Sequence, residues 1–510
     1  MCWAVGQAPA DDGVYRRPIG NDPATLDPVL LADVYGRAVA QQIFDGLVSF
    51  DQTLAIAPSL AQVWRASADG LTWTFTLRKG VRFHHGREVT ADDVVFSLTR
   101  VLDPRLKSTA ADLFTNIRGA PEFQKGQASR VAGLSALDRY TVQVSLTEAR
   151  VPFVSVLAIG QAKIVPRDLA ERDPKAFGVN PVGTGPFRFE RWDRGREIVL
   201  SANREYFDGA PRLSRLIYRI FPGGQLDRVY EEFVSGHLED TQPPTQDYRR
   251  AIAAGRHIYV RRPMFSVRFY GFNTQIKPLD DRRVRQAIVA AINRTAIIEG
   301  IHLGKHTMAR GIVPPGTLGF NPGLAAPDYD PARARGLLAE AGYPGGRGLP
   351  TIEIWSSVTN GAIEQEHDII RRELGAIGLK AQFKYQTDWP AFTTALTQGR
   401  LPVFLYAWFA DVPDPDNFLT KLFHSRSPRN YSRYRNPVVD ALLEGASVAQ
   451  DPQRRVDLFR RAEQLIIDDA VVLPVWHYNY ERLFQPWVRS VEVNGLGDPY
   501  IPMRKVWLER

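Results

Sequence analysis

Apolar positions recur along the chain with two different periods, and the switches between them mark the expected elements. Residues 15–28 read as a short strand and loop, and 32–47 then take up helical spacing. Residues 72–77 alternate, with Trp73, Phe75 and Leu77 on one side, the pattern of a half-buried strand. Thr90, with Asp93 three residues on, offers a cap to a helix whose Val94, Leu98, Val101 and Leu102 share one face. Strand patterns follow at 141–146, 187–189, 198–200 and 216–221, so the first half is expected to be strand-rich.

A strand at 267–272 opens the second half, and a helix from about Asp281 carries Val284, Ile288, Ala291 and Ile292 on its apolar stripe. Strand and helix then alternate: 352–355, 363–377, 381–385, a helix from about Trp389, and 403–408. This βαβα order predicts a mainly parallel sheet covered by helices. Asp451, followed by Pro452 at the first helical position, starts the last long helix, which ends near Asp468. Residues 471–476 form a closing strand. No internal repeat or low-complexity segment interrupts the pattern.

A length of 510 residues exceeds what one hydrophobic core serves, so two or more packed units are expected. The 44% hydrophobic and 24% charged fractions are ordinary for a globular protein, and no run of eighteen apolar residues could span a bilayer. The net charge of +8 is dispersed. Arg282, Arg283 and Arg285 fall on a helical pattern and read as a solvated face, so no nucleic-acid partner is expected. The single cysteine, Cys2, rules out an intramolecular disulfide. No charged stretch followed by an apolar one marks an export signal, leaving a cytosolic chain or one whose signal is absent. Cys2 directly after Met1, before a loose polar stretch, fits a lipoprotein whose signal is replaced by Met; an incidental thiol is the alternative.

Catalytic spacings are missing. The segment GIHLGKHT from Gly300 has three residues between its glycines and His306 in place of a hydroxyl, so it reads as a helix end and turn and not a phosphate loop. Gly183-Thr184-Gly185 runs into Pro186 and cannot open a helix around a pyrophosphate. No nucleophile elbow or zinc helix occurs, and adjacent His84 and His85 would face opposite sides of a strand. A metal site from scattered histidines stays open as a minor alternative, and no catalytic residue, resident metal or cofactor is expected.

Several segments together resemble the family 5 extracytoplasmic solute-binding proteins of ABC importers. This oligopeptide- and dipeptide-binding family also has nickel-, opine- and oligosaccharide-binding members. The segments are LDP at Leu26, IFDGLVSFD at Ile43, DGLTWTFTLRKGVRFHHGREVTADDVVFSL from Asp69 and NPVGTGPFRF from Asn180. GFNT at Gly271 with DDRRVRQAIVAAINR, AGYPGG at Ala341, DVPDPDNFL from Asp411 and VVLPVWHYNYERLFQPWV from Val471 complete the order. The resemblance implies an α/β fold: a two-lobed periplasmic-binding-protein fold of type II, cluster C. Lobe I would hold residues 1–262 plus 480–510, with an extra subdomain at about 50–178, and lobe II residues 263–479. It further implies a monomeric, periplasmic or lipid-anchored receptor whose lobes close on a solute and deliver it to importer permease subunits.

The resemblance also places ligand-binding residues. Asp411 would pair with a ligand ammonium group, with Trp408, Phe409 and Ala410 beside it; bracing the Asp414-Pro415-Asp416 turn is the alternative for Asp411. The backbone of Ala32, Asp33, Val34 and Tyr35 would pair with an extended peptide, unless these residues only lead into a helix. Of Trp476, His477 and Tyr478, alternate residues would face ligand. Trp389 and Phe114 are further candidates. One departure bears on the ligand: residues 356–361 read SSVTNG, where dipeptide binders carry an arginine for the ligand carboxylate. The ligand is therefore expected to be longer, to lack that carboxylate, or to be an oligosaccharide, opine or metal chelate. A peptide or glycoside hydrolase is the rival of another class.

Overall fold

Residues 13–244 and 248–510 are described by a computed structural model, so Cys2 and the lipid anchor expected of it lie outside the described residues. The chain divides into two compact units, Met1–Arg262 with Tyr480–Arg510, and Pro263–Asn479.

In the first unit a four-stranded sheet runs in the order Val14–Ile19, Arg215–Ile220, Glu197–Ala202, Phe187–Asp193. Its first pair is parallel and the others antiparallel. A second, wholly antiparallel sheet orders Ala61–Ala66, Thr72–Leu77, Thr141–Ser145 and Leu134–Asp138. Phe75 and Leu77 are buried in it, as their alternation predicts. The helix Ala91–Leu102 packs on this sheet and starts with the expected capping box: the Thr90 N–H donates to Asp93 Oδ2 at 2.9 Å.

The helix read at 32–47 is shorter, Val34–Ile43, because Asp33 caps it by accepting the Gly36 N–H at 2.7 Å. The Gly183-Thr184-Gly185 turn packs against the far end of this helix. Both glycines keep ordinary negative φ, so contact explains them better than a special backbone. A Cβ on Gly183 would lie 2.0 Å from the Ile43 carbonyl oxygen. GIHLGKHT is indeed the end of helix Arg294–Gly300 and a turn.

The second unit is built on a six-stranded sheet in the order Thr307–Met308, Val472–His477, Ser266–Phe272, Val403–Phe409, Ile352–Ser356, Ala381–Tyr385. Ile352–Ser356 is parallel to both of its neighbours, as its βαβ connections require. The sheet is nonetheless mixed and not mainly parallel, because Ser266–Phe272 is antiparallel to both Val403–Phe409 and Val472–His477. Those neighbours are remote in sequence, so no single crossover helix dictates their direction. The helices Arg282–Ala291, Pro331–Glu340 and Gly361–Ala376 cover the sheet through a core that includes Val284, Ile288, Leu338, Ile354, Ile370 and Leu405. The helix Pro452–Asp468 contributes Glu463, a buried carboxylate that accepts the Ile312 and Val313 N–H groups at 2.7 and 2.9 Å.

Candidate functional site

In the second unit the strand Val403–Phe409 delivers its last residues to a turn stiffened by Asp414, Pro415 and Asn417. Asn417 Oδ1 accepts both the Asp411 N–H at 3.0 Å and the Trp408 indole N–H at 3.3 Å, fixing the two residues together. Trp408 is nearly buried, whereas the Asp411 side chain keeps 32% of its exposure. Its Oδ2 already has a cation: Lys421 Nζ lies 3.2 Å away and 5.3 Å from the Trp408 ring centroid. Asp411 does not brace the Asp414-Pro415-Asp416 turn with its carboxylate; Asp414 caps that turn itself and pairs with buried Arg455.

Phe409 is 47% exposed, with its ring 5.2 Å from that of Tyr478. Ala410 is held by its N–H, which donates to the Phe265 carbonyl at 2.8 Å. Within the aromatic triplet alternation operates, but leaves less at the surface than expected. His477 is buried; its Nδ1 lies 2.7 Å from the Ser266 carbonyl oxygen, and burial pushes its pKa down to about 4. It is packed as a core residue. Trp476 is 1% exposed beneath His302, His306 and Tyr478. Trp389, at the first position of helix Trp389–Thr397, is 52% exposed and stacks 6.2 Å from Tyr406.

Beneath Trp476 lies a charge pair that the hydrophobic pattern hides. Arg268 Nη2 meets Glu366 Oε2 at 2.9 Å, its guanidinium sits 4.0 Å from the Trp476 ring centroid, and the Tyr270 hydroxyl donates to Glu366 Oε1 at 2.6 Å. Two signals could have found it: Arg268 interrupts an apolar strand, and Glu366 falls on the apolar stripe of its helix between Ile363 and Ile370. The SSVTNG turn is closed on itself: the Ser356 hydroxyl donates to the Val358 carbonyl at 2.7 Å, and Asn360 caps the helix Gly361–Ala376.

The first unit offers a cavity of about 190 Å³, walled by Ile19, Val34, Tyr35 and Val229 and floored by Arg17, Arg482 and Asp498. Val34 is 49% exposed. Gly20 admits the Tyr35 ring, since a Cβ there would lie 2.7 Å from the Tyr35 hydroxyl. The floor is electrically closed. Arg482 reaches Asp240 at 2.6 Å and Asp498 at 2.5 Å, and Arg17 reaches Asp498 at 2.8 Å. Burial raises the Asp498 carboxyl, but Arg482 and Arg17 outweigh it and hold the group well below the usual range. A cavity with apolar walls and a neutral floor suits uncharged or apolar groups. Extended backbone spans only Leu31 and Asp33 around Ala32, because Val34 and Tyr35 are already helical, and the Leu31 carbonyl accepts Gln161 Nε2 at 2.8 Å. Only this short stretch has the conformation for strand-like pairing. Phe114 is completely buried and packs as a core residue. Buried aromatic and exposed aromatic positions look alike in a single sequence.

Among the described residues no group of three or more His, Cys, Asp or Glu side chains could hold a metal ion, and no helix is long and apolar enough to cross a membrane.

Comparison with known proteins gives a consistent result. The family model for bacterial extracellular solute-binding proteins, family 5 Middle, matches residues 55–430. A probable di/tripeptide-binding protein 5 of Pseudomonas aeruginosa is 31% identical over 90% of this chain and 89% of its own. Heme-binding protein A of Haemophilus influenzae is 30% identical over 91% of this chain and 86% of its own. The periplasmic binding protein DppA of Helicobacter pylori, solved with the peptide STSA, superposes with a TM-score of 0.80 and 27% identity over 98% of both chains.

Proposed function

Because the chain belongs to the bacterial extracellular solute-binding proteins of family 5, we propose that it is the receptor of an ABC importer, binding a peptide or peptide-like solute and passing it to permease subunits without catalysing a reaction. The observation that carries this reading is the near full-length similarity to a di/tripeptide-binding protein and to a relative solved with a peptide. Two features support the reading: the second unit sets the Asp411 carboxylate and the Trp408 ring around one cationic group, that of Lys421, and the first unit adds the neutral-floored cavity beside Val34 and Tyr35. In this reading the two units act as lobes, with residues 50–178 as a subdomain of the first. The protein works as a monomer outside the cytoplasmic membrane, free in the periplasm or tethered through Cys2.

Thermal melting of the purified chain with free and N-acetylated tripeptides, maltotriose or hemin tests the proposal. A ligand that binds only the folded state at a hundred times its Kd adds about 2.7 kcal/mol of stability. Peptides are expected to raise the melting temperature by several degrees; a rise with the sugar or hemin alone would overturn the peptide reading.

A further inference from the structure

The Asp411 carboxylate and the Trp408 ring together make an environment that stabilises a cation removed from water, with an ionised partner on one side and an aromatic face on the other. The structure contains the demonstration, since an ammonium group is already there. Lys421, on the short helix Leu419–Phe423, places Nζ 3.2 Å from Asp411 Oδ2 and 5.3 Å from the Trp408 ring centroid. Its side chain is 13% exposed, less than that of Asp411, so the cation is the more enclosed partner. The backbone holds the arrangement from both ends. Asn417 anchors the Asp411 N–H, and the Lys421 carbonyl accepts the Ser427 hydroxyl at 2.5 Å.

We propose that Lys421 is an internal stand-in for a ligand ammonium group, so that this receptor selects peptide-like solutes whose end at Asp411 carries no free amine. The inference rests on the peptide reading above. An incoming ammonium would have to expel Lys421 from Asp411 and the Trp408 ring and would meet the expelled charge nearby. An acylated end avoids that competition and can use the neutral pair as a polar surface. The ligand class is therefore an N-acylated peptide, or one whose amine is tied up in an amide bond. The loop lacking a cation at SSVTNG concerns the other end of a ligand and is independent of this selection.

The test uses the full chain and a randomised tripeptide library, once with free amino ends and once fully N-acetylated, with bound mass read by native mass spectrometry. Wild type is expected to load the acetylated library at least about tenfold over the free one, a difference typical of one competing charge. Lys421→Met should abolish or invert that preference, and Lys421→Arg should keep it, which separates loss of charge from loss of fold. If wild type prefers free peptides, or if Lys421→Met leaves the ratio unchanged, the inference falls while the peptide reading stands. If neither library loads into wild type or variants, the peptide reading fails and takes the inference with it.

Discussion

A charge cluster in the first unit and a charge pair in the second are held to very different degrees. In the first, Arg17, Arg482, Asp240 and Asp498 form a closed quartet in which each carboxylate meets two guanidinium groups, with further donors from Tyr15 and Tyr480. In the second, Asp411 and Lys421 pair at 3.2 Å, and the carboxylate is a third exposed. A quartet saturated with partners cannot exchange any of them cheaply; a partly exposed pair can. The contrast separates charges that hold a fold from charges that can be offered to a ligand.

Removing one member of the quartet should have the largest effect. Arg482→Met leaves two carboxylates under-compensated in a buried setting, and is expected to cost about 3–5 kcal/mol in urea unfolding. The quartet also resists acid. A carboxylate held below its ordinary value contributes its stability above that value and loses it only as pH falls through the lowered one, so Asp498 should survive mild acidification. A loss as small as that of a surface pair would break the comparison.

Glu463 sharpens it as an intermediate case, a carboxylate enclosed with two N–H donors and favoured in its charged form only weakly by Arg460. Burial pushes its pKa up from 4.5 to about 7, against the two N–H groups that favour the charged form. A raised carboxylate pKa means that its contribution is fully present below the ordinary value and is lost as pH rises through about 7. Glu463→Gln keeps an accepting oxygen and is expected to flatten the stability profile between pH 4.5 and 7 and to gain about 1–3 kcal/mol at pH 8. Denaturant melts at four pH values measure this.

Smaller effects are expected around Asp411. Lys421→Met should change stability by less than about 1 kcal/mol, the usual scale of a partly exposed pair. Phe409→Ala should alter unfolding by no more than about 0.5 kcal/mol, since the ring is half exposed, yet weaken binding of peptide in calorimetry.

How much of this is legible in the sequence depends on whether a feature repeats locally. The capping box at Thr90, the strand at 72–77 and the βαβ run at 352–408 follow from period and cap chemistry alone. The antiparallel insertion of Ser266–Phe272 does not, because strand direction is decided between segments more than a hundred residues apart. At the site, Asp411 and Trp408 stand in a recognisable segment, but Lys421 lies ten residues on, beyond a turn whose path no spacing rule predicts. The burial of Phe114 and His477 is hidden for the same reason: their neighbours come from distant parts of the chain.

The most direct test of the central claim is mass spectrometry of small molecules released from protein purified out of its own bacterium, where the natural solute has had the chance to bind. The account predicts a released peptide or peptide-like compound, at close to one per protein. A porphyrin, a sugar or an opine in that fraction would contradict it.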